Sequence, residues 1–396
     1  MLSRFNRLST LLVKHAAIWK TPVFQMACVS FPPQQQALTN FVMTLSDAEV
    51  EFLQANDQHL LARITHCFPD AAQLAECIDF PGTSGRNIQP PRFWNTDIPG
   101  RKEQQILAFS EALGTINLPL LEWCCGKQHL SRFLGEVHSQ GATGLDIDAD
   151  LINQANALAR KRHLHAFIQS ECCDVLSSQA ERFIERDQHL IALHACGGLH
   201  TRMLQLAADK RVARLSLSPC CYHRFNEHPD YQALSSAAQQ SGLRLDHEAL
   251  RLAVRETQTA SGAETQKRKT LQIWRLGFDS LQRELRQSDR YLPVPSFSQR
   301  VLNKGFPVFC QEIAALNGLK LHAETEFSHY LTLGEARFHV YQRRELLRMI
   351  FRRALECWLV LDKTLFLEEQ GYDCKITRFC PPEISPRNLL IQAKLA

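Results

Sequence analysis

No apolar run in the 396-residue chain approaches the ~20 residues needed to cross a bilayer, so a spanning helix is not expected. No acidic residue precedes Asp47, whereas Arg4, Arg7, Lys14 and Lys20 do. That segment reads either as a transit peptide or as an amphipathic helix from Phe5 to Trp19 packed on the body of the protein. Ile18-Trp19 and Val23-Phe24 look like anchors and favour the helix. No small-residue cleavage pattern accompanies it, so a secretory signal is not expected. Among 14 cysteines there is no C-x-x-C pair, and three pairs are adjacent: Cys124-Cys125, Cys172-Cys173 and Cys220-Cys221. This is no small disulfide scaffold, and a reducing, cytoplasmic setting is the simpler reading. There is no internal repeat and no low-complexity tract. The net charge of +4 is too small to imply a polyanion partner by itself.

Hydrophobic residues make up 45% of the chain, enough for a large core. Residues 1–100 read as helices joined by loops, with Ser46 and Glu49 forming a capping box and a Pro-rich connector between Phe80 and Gly100. From 101 the pattern changes to strands alternating with helices. Strands are expected at Leu118–Cys124, Ala142–Asp146, Ala166–Gln169, Leu190–His194 and Leu215–Leu217. The apolar runs are continuous rather than alternating, as strands covered on both faces should be. Residues 225–340 read as a mostly helical insertion. A long helix is expected from Tyr341 to Gln370, followed by strands Cys374–Phe379 and Leu389–Ala393. The expected fold is therefore α/β and Rossmann-like. Its sheet is built from 101–224 and completed by 341–396, with 1–100 and 225–340 helical.

Ligands of open α/β sheets bind beyond the carboxyl ends of the strands. The first strand ends Glu122-Trp-Cys124-Cys-Gly126, and an acid there suits a cationic ligand. Asp146, followed by Ile147, stands about 20 residues on from Gly126, where a carboxylate can accept both hydrogens of a ribose diol. Cys173-Asp174 follows the third strand, where the acid can accept from an adenine amino group. The second glycine of G-x-G-x-x-G is absent and Gln128 occupies its place, which argues against a dinucleotide and its pyrophosphate. S-adenosylmethionine has no phosphate. The acceptor side is expected from His194 and Cys196 after the fourth strand and from Ser218, Pro219, Tyr222 and His223 after the fifth. Either histidine could act as general base, His194 also touching the cofactor, and Tyr222 could stack a base. His194, Cys196, Cys220, Cys221 and His223 include enough soft ligands for zinc, but no pair has C-x-x-C spacing and adjacent cysteines chelate one ion poorly, so no metal is expected.

The blocks Glu122–Ser131, Leu193–Gly197 and Ser218–His223 resemble the methyltransferase domain of the "methyltransferase-like" proteins, a group that includes one labelled as containing a ribosomal RNA adenine dimethylase domain. Leu252–Glu256 and Ser385–Asn388 are similar to further blocks of that family, and a weaker likeness is to a tRNA 2′-O-methyltransferase. The resemblance implies a class I fold, S-adenosylmethionine as cofactor, and cofactor-binding positions at Glu122, Gly126, Asp146 and Asp174. No Asn/Asp-Pro-Pro-Tyr loop follows the fourth strand, so the adenine-dimethylase label says little about adenine chemistry here.

Arg344, Arg348 and Arg352 recur at i, i+4 spacing, flanked by Arg343 and Arg353, a stripe that could grip RNA phosphates. Lys267-Arg268-Lys269 is a second basic cluster. Three readings stand: methylation of tRNA or rRNA, methylation of a protein or small molecule, and an RNA-binding module that keeps the fold without catalysis.

Overall fold

Seven strands join into one sheet in the order β3-β2-β1-β4-β5-β7-β6. They are β1 Leu120–Trp123, β2 Ala142–Asp146, β3 Ile168–Cys172, β4 His189–Cys196, β5 Arg214–Cys220, β6 Tyr372–Arg378 and β7 Leu389–Leu395. The computed structural model describes residues 1–28, 31, 35–83, 85, 87–255 and 262–396, the side chains at 194, 262, 263 and 299 excepted. Strands β1 to β5 are parallel, and β7 runs antiparallel to both β5 and β6. The strand pair at the C-terminus thus closes the β5 edge, as its position in the sequence suggests. Strand order reverses between β2 and β4 around β1, so the crevice for a ligand lies past the carboxyl ends of β1 and β4.

The chain forms two compact units. The first comprises Met1–Lys14, Glu76–Gln258 and Arg352–Ala396 and holds the sheet. Phe109, Phe133, Leu120, Ile191, Phe379 and Leu390 share one buried cluster of this unit. The helix Arg352–Glu369 lies against β6 and β7, and Phe5 of the helix Leu2–Lys14 meets Trp358 with ring centroids 5.3 Å apart. Trp358 Nε1 donates to Ser9 Oγ at 2.8 Å, so the N-terminal helix is part of this core. Residues 225–255 also belong here rather than to an insertion. Asp362, fully buried, accepts from Tyr231 Oη (2.6 Å), Leu234 N (3.0 Å), Ser235 N (2.8 Å) and Ser235 Oγ (2.7 Å). Lys363 Nζ donates to the same Tyr231 hydroxyl at 2.8 Å, and burial lowers its ammonium to about 8.

The second unit comprises His15–Ala75 and Thr259–Phe351 and is helical. Trp274, Phe278, Phe306 and Phe309 form its aromatic centre. Ser46 and Glu49 make the expected capping box at the helix Asp47–Ala55. The expected long helix is two helices, Phe327–Met349 and Arg352–Glu369, separated at Ile350-Phe351. The arginine stripe is not a phosphate-binding face. Arg344 donates to the carbonyl of Ile18 (2.8 Å), and Arg348 donates to that of Trp19 (2.9 Å) and to Glu345 (3.0 Å). The two arginines bond the last carbonyls of the short helix Ala16–Trp19. Arg344, Arg348 and Arg352 are all buried, which removes them from reach of RNA. Among the described residues no helix is long and apolar enough to cross a membrane.

Two histidines inside the first unit make its stability depend on pH. His189, on β4, shares a 2.9 Å hydrogen bond with Ser216 Oγ, and His200 Nδ1 donates to the Ala195 carbonyl at 3.0 Å. Burial lowers each imidazole to about 3, and the positive charges of Arg214 and Lys363 act in the same direction on His189 and His200 respectively. The folded chain therefore refuses protons that the unfolded chain accepts below about pH 6.5. Their contribution is complete above that pH and is lost as pH falls towards 3, by up to ~1.4 kcal/mol per pH unit for each ring. Urea unfolding should show stability declining from about pH 6.5 to 4.5, and His189→Gln should flatten that decline. An unchanged slope in the variant would show that this imidazole does not control it.

Candidate functional site

The turn after β1 is built on three left-handed residues, Cys124 (φ 57°), Gly126 (φ 54°) and Gln128 (φ 54°). Cys125 N donates to the Leu145 carbonyl at 2.9 Å, which carries the β1–β2 bonding two residues past the end of β1. Gly126 N then donates to Asp146 Oδ2 at 2.8 Å, while Asp148 N donates to Asp146 Oδ1 at 3.1 Å. The carbonyl of Asp146 accepts from Cys173 N at 2.8 Å. One residue thus ties together the ends of β1, β2 and β3.

Gln128 explains how the turn forms without its second glycine. The side chain is buried and directed into the sheet. Its Nε2 donates to the carbonyls of Gln169 (3.0 Å) and Ala142 (3.4 Å), and its Oε1 accepts from Ser170 Oγ at 2.7 Å. Room for it is left by Gly144, where a Cβ would stand 2.7 Å from Cys125 Sγ and 3.0 Å from Gln128 Cγ. The glutamine points away from the mouth of the turn, so it does not fill the space a ligand would take.

Glu122 sits beneath the turn rather than at its mouth. It is buried, accepts from Ser131 N at 2.9 Å, and so satisfies an amide in the first turn of the helix His129–His138. Burial pushes its carboxyl up, against the pull of Ser131, Lys102 and Arg132. Lys102, which the sequence reading missed, lies within electrostatic reach of both Glu122 and Cys220 and is lowered by burial. It stands near the start of the helix Gly100–Leu113, outside any strand end, where no spacing rule would seek it.

The other residues expected to hold cofactor divide between rim and interior. Ile147 is 68% exposed and Asp174 is exposed. Asp174 Oδ1 accepts from Leu176 N at 3.0 Å, which closes a turn after β3. Cys173 is buried, and burial raises its thiol. Cys124 is half-buried; burial raises its thiol, as do the charges of Asp146, Cys196, Glu122 and Asp174. The ends of β1, β2, β3 and β4 therefore converge on Cys124.

On the acceptor side the strands bring some expected residues together and bury others. Cys196 pairs in register with Cys220, their Sγ atoms 3.8 Å apart, and Cys221 Sγ lies within 4.8 Å of both. Cys221 is held well below the usual thiol range by hydrogen bonds from Cys196 and Cys220, with Arg387 and Arg224 adding to the effect. Sharing those hydrogens pushes Cys220 up. The sequence spacing argued against such a cluster, and parallel pairing of β4 with β5 creates it. Ser218 is buried inside β5 and donates to the Arg387 carbonyl at 3.2 Å, and Pro219 is buried beside it, so neither faces an acceptor. Tyr222 is 1% exposed, with His200 at 5.7 Å and Lys363 Nζ at 5.3 Å from its ring, so it has no free face for a base. His223 is half-buried, and its pKa is lowered by burial. The side chain of His194 and the residue Glu256 lie outside the described residues. Gly197 and Gly198 pack directly on the backbone of Arg224 and Phe225, where any Cβ would collide. A cavity of about 500 Å³ lined by Met1, Arg4, Arg7, Phe80, Cys374 and Lys375 lies by β6 and touches none of these residues.

Residues 104–228 match the profile of a family described as "Methyltransferase domain", and this segment runs from the helix before β1 to just beyond His223. No curated protein matches the chain. Solved structures similar to it include MccD protein, at 16% identity over 30% of this chain and 54% of that one with a TM-score of 0.25. M. capricolum TrmK in complex with S-adenosyl-homocysteine aligns at 14% identity over 30% of this chain and 51% of that one, TM-score 0.24. An RNA methyltransferase from Salinibacter ruber in complex with S-adenosyl-L-homocysteine aligns at 11% identity over 35% and 85%, TM-score 0.25. The chain spans about half the length of the first two, and scores this low carry no argument about activity. The sheet with its strand order, described above, is the chain's own.

If Gln128 anchors the turn rather than meeting ligand, Gln128→Ala should lower unfolding free energy by about 1–3 kcal/mol, leaving Ser170 Oγ unpaired and removing three hydrogen bonds from a buried site. Affinity for S-adenosyl-homocysteine, measured by calorimetry on the folded variant, should stay within about threefold, well short of the ~1.4 kcal/mol that marks a tenfold change. Loss of binding at unchanged stability would assign Gln128 to the ligand instead.

Proposed function

We propose that this chain transfers a methyl group from S-adenosylmethionine to RNA. The observation that carries the cofactor assignment is the Asp146 carboxylate held on Gly126 N at 2.8 Å, at the point where the strand order reverses. The site suits an adenosyl ligand on its own terms. Nothing lies within 4 Å of where a Cβ of Gly126 would stand, so the turn opens onto free space. Each Asp146 oxygen accepts one amide and keeps a lone pair for a ribose hydroxyl. Ile147 offers an apolar face to a purine, and Asp174 can accept from its amino group.

S-adenosylmethionine supplies a methyl group on a cationic sulfur. The chain's own residues need mainly to hold that group and the acceptor atom in line and exclude water. The half-buried Cys196 and His223, at the ends of β4 and β5, border the acceptor side.

RNA as acceptor rests on charge. Arg224, His247 and Arg251 are exposed, and all three act electrostatically on His223, whose ring lies 5.6 Å from that of His247. These basic residues stand beside the strand ends and take the place of the buried arginine stripe as phosphate contacts.

Calorimetry should give a micromolar complex with S-adenosyl-homocysteine, weakened at least ~30-fold in Asp146→Ala, as loss of charge-assisted hydrogen bonds to a diol requires. No heat at millimolar ligand would leave an RNA-binding module as the surviving reading. RNA binding should fall steeply with salt, and Arg224→Ala with Arg251→Ala should reduce the logarithmic slope by roughly 0.7–0.9 per arginine. Mass spectrometry of RNA nucleosides from a deletion strain should show one methylated nucleoside missing. An unchanged nucleoside profile with cofactor binding intact would point to a protein or small molecule as acceptor.

A further inference from the structure

The adjacent carboxyl ends of β4 and β5 hold three thiols in one place. Cys196, Cys220 and Cys221 have Sγ atoms within 4.8 Å of one another, and no other group of three or more metal-ligating side chains occurs among the described residues. We propose that Cys196, Cys220 and Cys221 bind a thiophilic divalent cation, zinc, and that His223, whose ring nitrogens stand outside the 4.8 Å thiol group, turns in to complete the set.

Geometry distinguishes this site from a disulfide. A Zn–S bond of about 2.3 Å places two thiolates of a tetrahedral site about 3.8 Å apart, whereas a disulfide needs about 2.05 Å. Cys196 and Cys220 stand at 3.8 Å. None of the three is joined in a disulfide.

The donors are also fixed before any ion arrives. Cys196 and Cys220 lie opposite each other in neighbouring parallel strands. Cys221 leaves β5 in a left-handed conformation, φ 44°, which lets consecutive cysteines turn towards one point. The loop carrying it is pinned by Gly198 N on the Arg224 carbonyl at 2.9 Å, Gly197 N on the Cys220 carbonyl at 3.1 Å and Arg224 N on the Cys221 carbonyl at 2.9 Å. Adjacent cysteines on a regular strand would point to opposite faces, and the backbone here removes that objection.

A second observation points to a ligand. His223 Nδ1 is buried without a hydrogen-bond partner among the described residues, a costly arrangement for a ring nitrogen two residues from Cys221. Three thiolates and one imidazole make a recurrent closed zinc set. Three thiolates on a divalent ion leave one negative charge, and Arg224 and Arg387 lie within electrostatic reach of Cys221 to balance it. The ion would lock the 221–225 segment onto the β4 turn, beside Cys124 and the proposed cofactor site. Its test does not depend on that cofactor reading.

The full chain, purified under reducing conditions without chelator, should carry about one zinc by elemental analysis. Cobalt added after zinc removal should give the sulfur-to-metal charge transfer and intense visible bands of a tetrahedral thiolate site. Cys196→Ser and Cys221→Ser should each cut metal content at least about fivefold, while Cys310→Ser, a buried cysteine of the helical unit, should not. Cys220 is deeply buried, where a substitution also tests folding, so His223→Asn serves as the second probe; it should keep the charge-transfer band and shift the visible bands. A folded wild-type chain with less than about a tenth of an equivalent of zinc and no cobalt bands would overturn the proposal. So would peptide mapping that finds Cys196 and Cys220 joined as a disulfide.

Discussion

The carboxylate of Asp146 sets the shape of everything at the upper edge of the sheet. By accepting from Gly126 N and Asp148 N, it fixes the turns after β1 and β2 together. An acid in that position has two consequences of opposite character. It stabilises two turns whose amides would otherwise face water or ligand unpaired, and it keeps a negative charge at the rim of the crevice. The second consequence requires the first. A carboxylate free to rotate would pay entropy to meet a diol, and one held by two amides has already lost that freedom. Burial raises the Cys124 thiol, and the acids of three strand ends push it further in the same direction.

How much of this could be read from the chain depends on the distance over which each feature is decided. The five parallel strands were legible because burial on both faces imposes continuous apolar runs, and Ala142–Asp146 emerges with the predicted bounds. Strand ends moved where the apolar run stops before the pairing does: β5 continues through the polar Ser216 and Ser218 because β4 and β7 still bond to it and both serines find partners inside. The places of Gly126 in a turn and Asp146 at a strand end were legible for the same local reason.

The errors concern polar residues whose partners are remote. Arg344 and Arg348 repeat at helical spacing and look like a solvated face, yet the carbonyls they serve belong to Ile18 and Trp19 at the other end of the sequence. Tyr222 looks like a rim aromatic until His200 and Lys363 cover it. The thiol cluster reverses the error. C-x-x-C spacing describes ligands presented by one turn, whereas Cys196 and Cys220 meet across two strands whose pairing no local spacing reports. Burial of charge and convergence of ligands are both tertiary properties, and single-sequence patterns misjudge both for that reason.

Gln128 is the strongest test of how far a missing motif residue should count. A left-handed backbone costs an ordinary residue roughly 1–2 kcal/mol relative to glycine, and on sequence grounds that looks like a damaged cofactor turn. The structure offsets the cost with three hydrogen bonds from a buried amide, and Gly144 on the neighbouring strand makes the space. The glycine requirement has moved from the turn to the strand beside it. What the turn must provide is an open face at Gly126 and an amide for Asp146, and both are present. Absence of the second glycine therefore says nothing against cofactor binding, because the property that glycine normally secures here is backbone conformation, and a well-anchored side chain secures it equally.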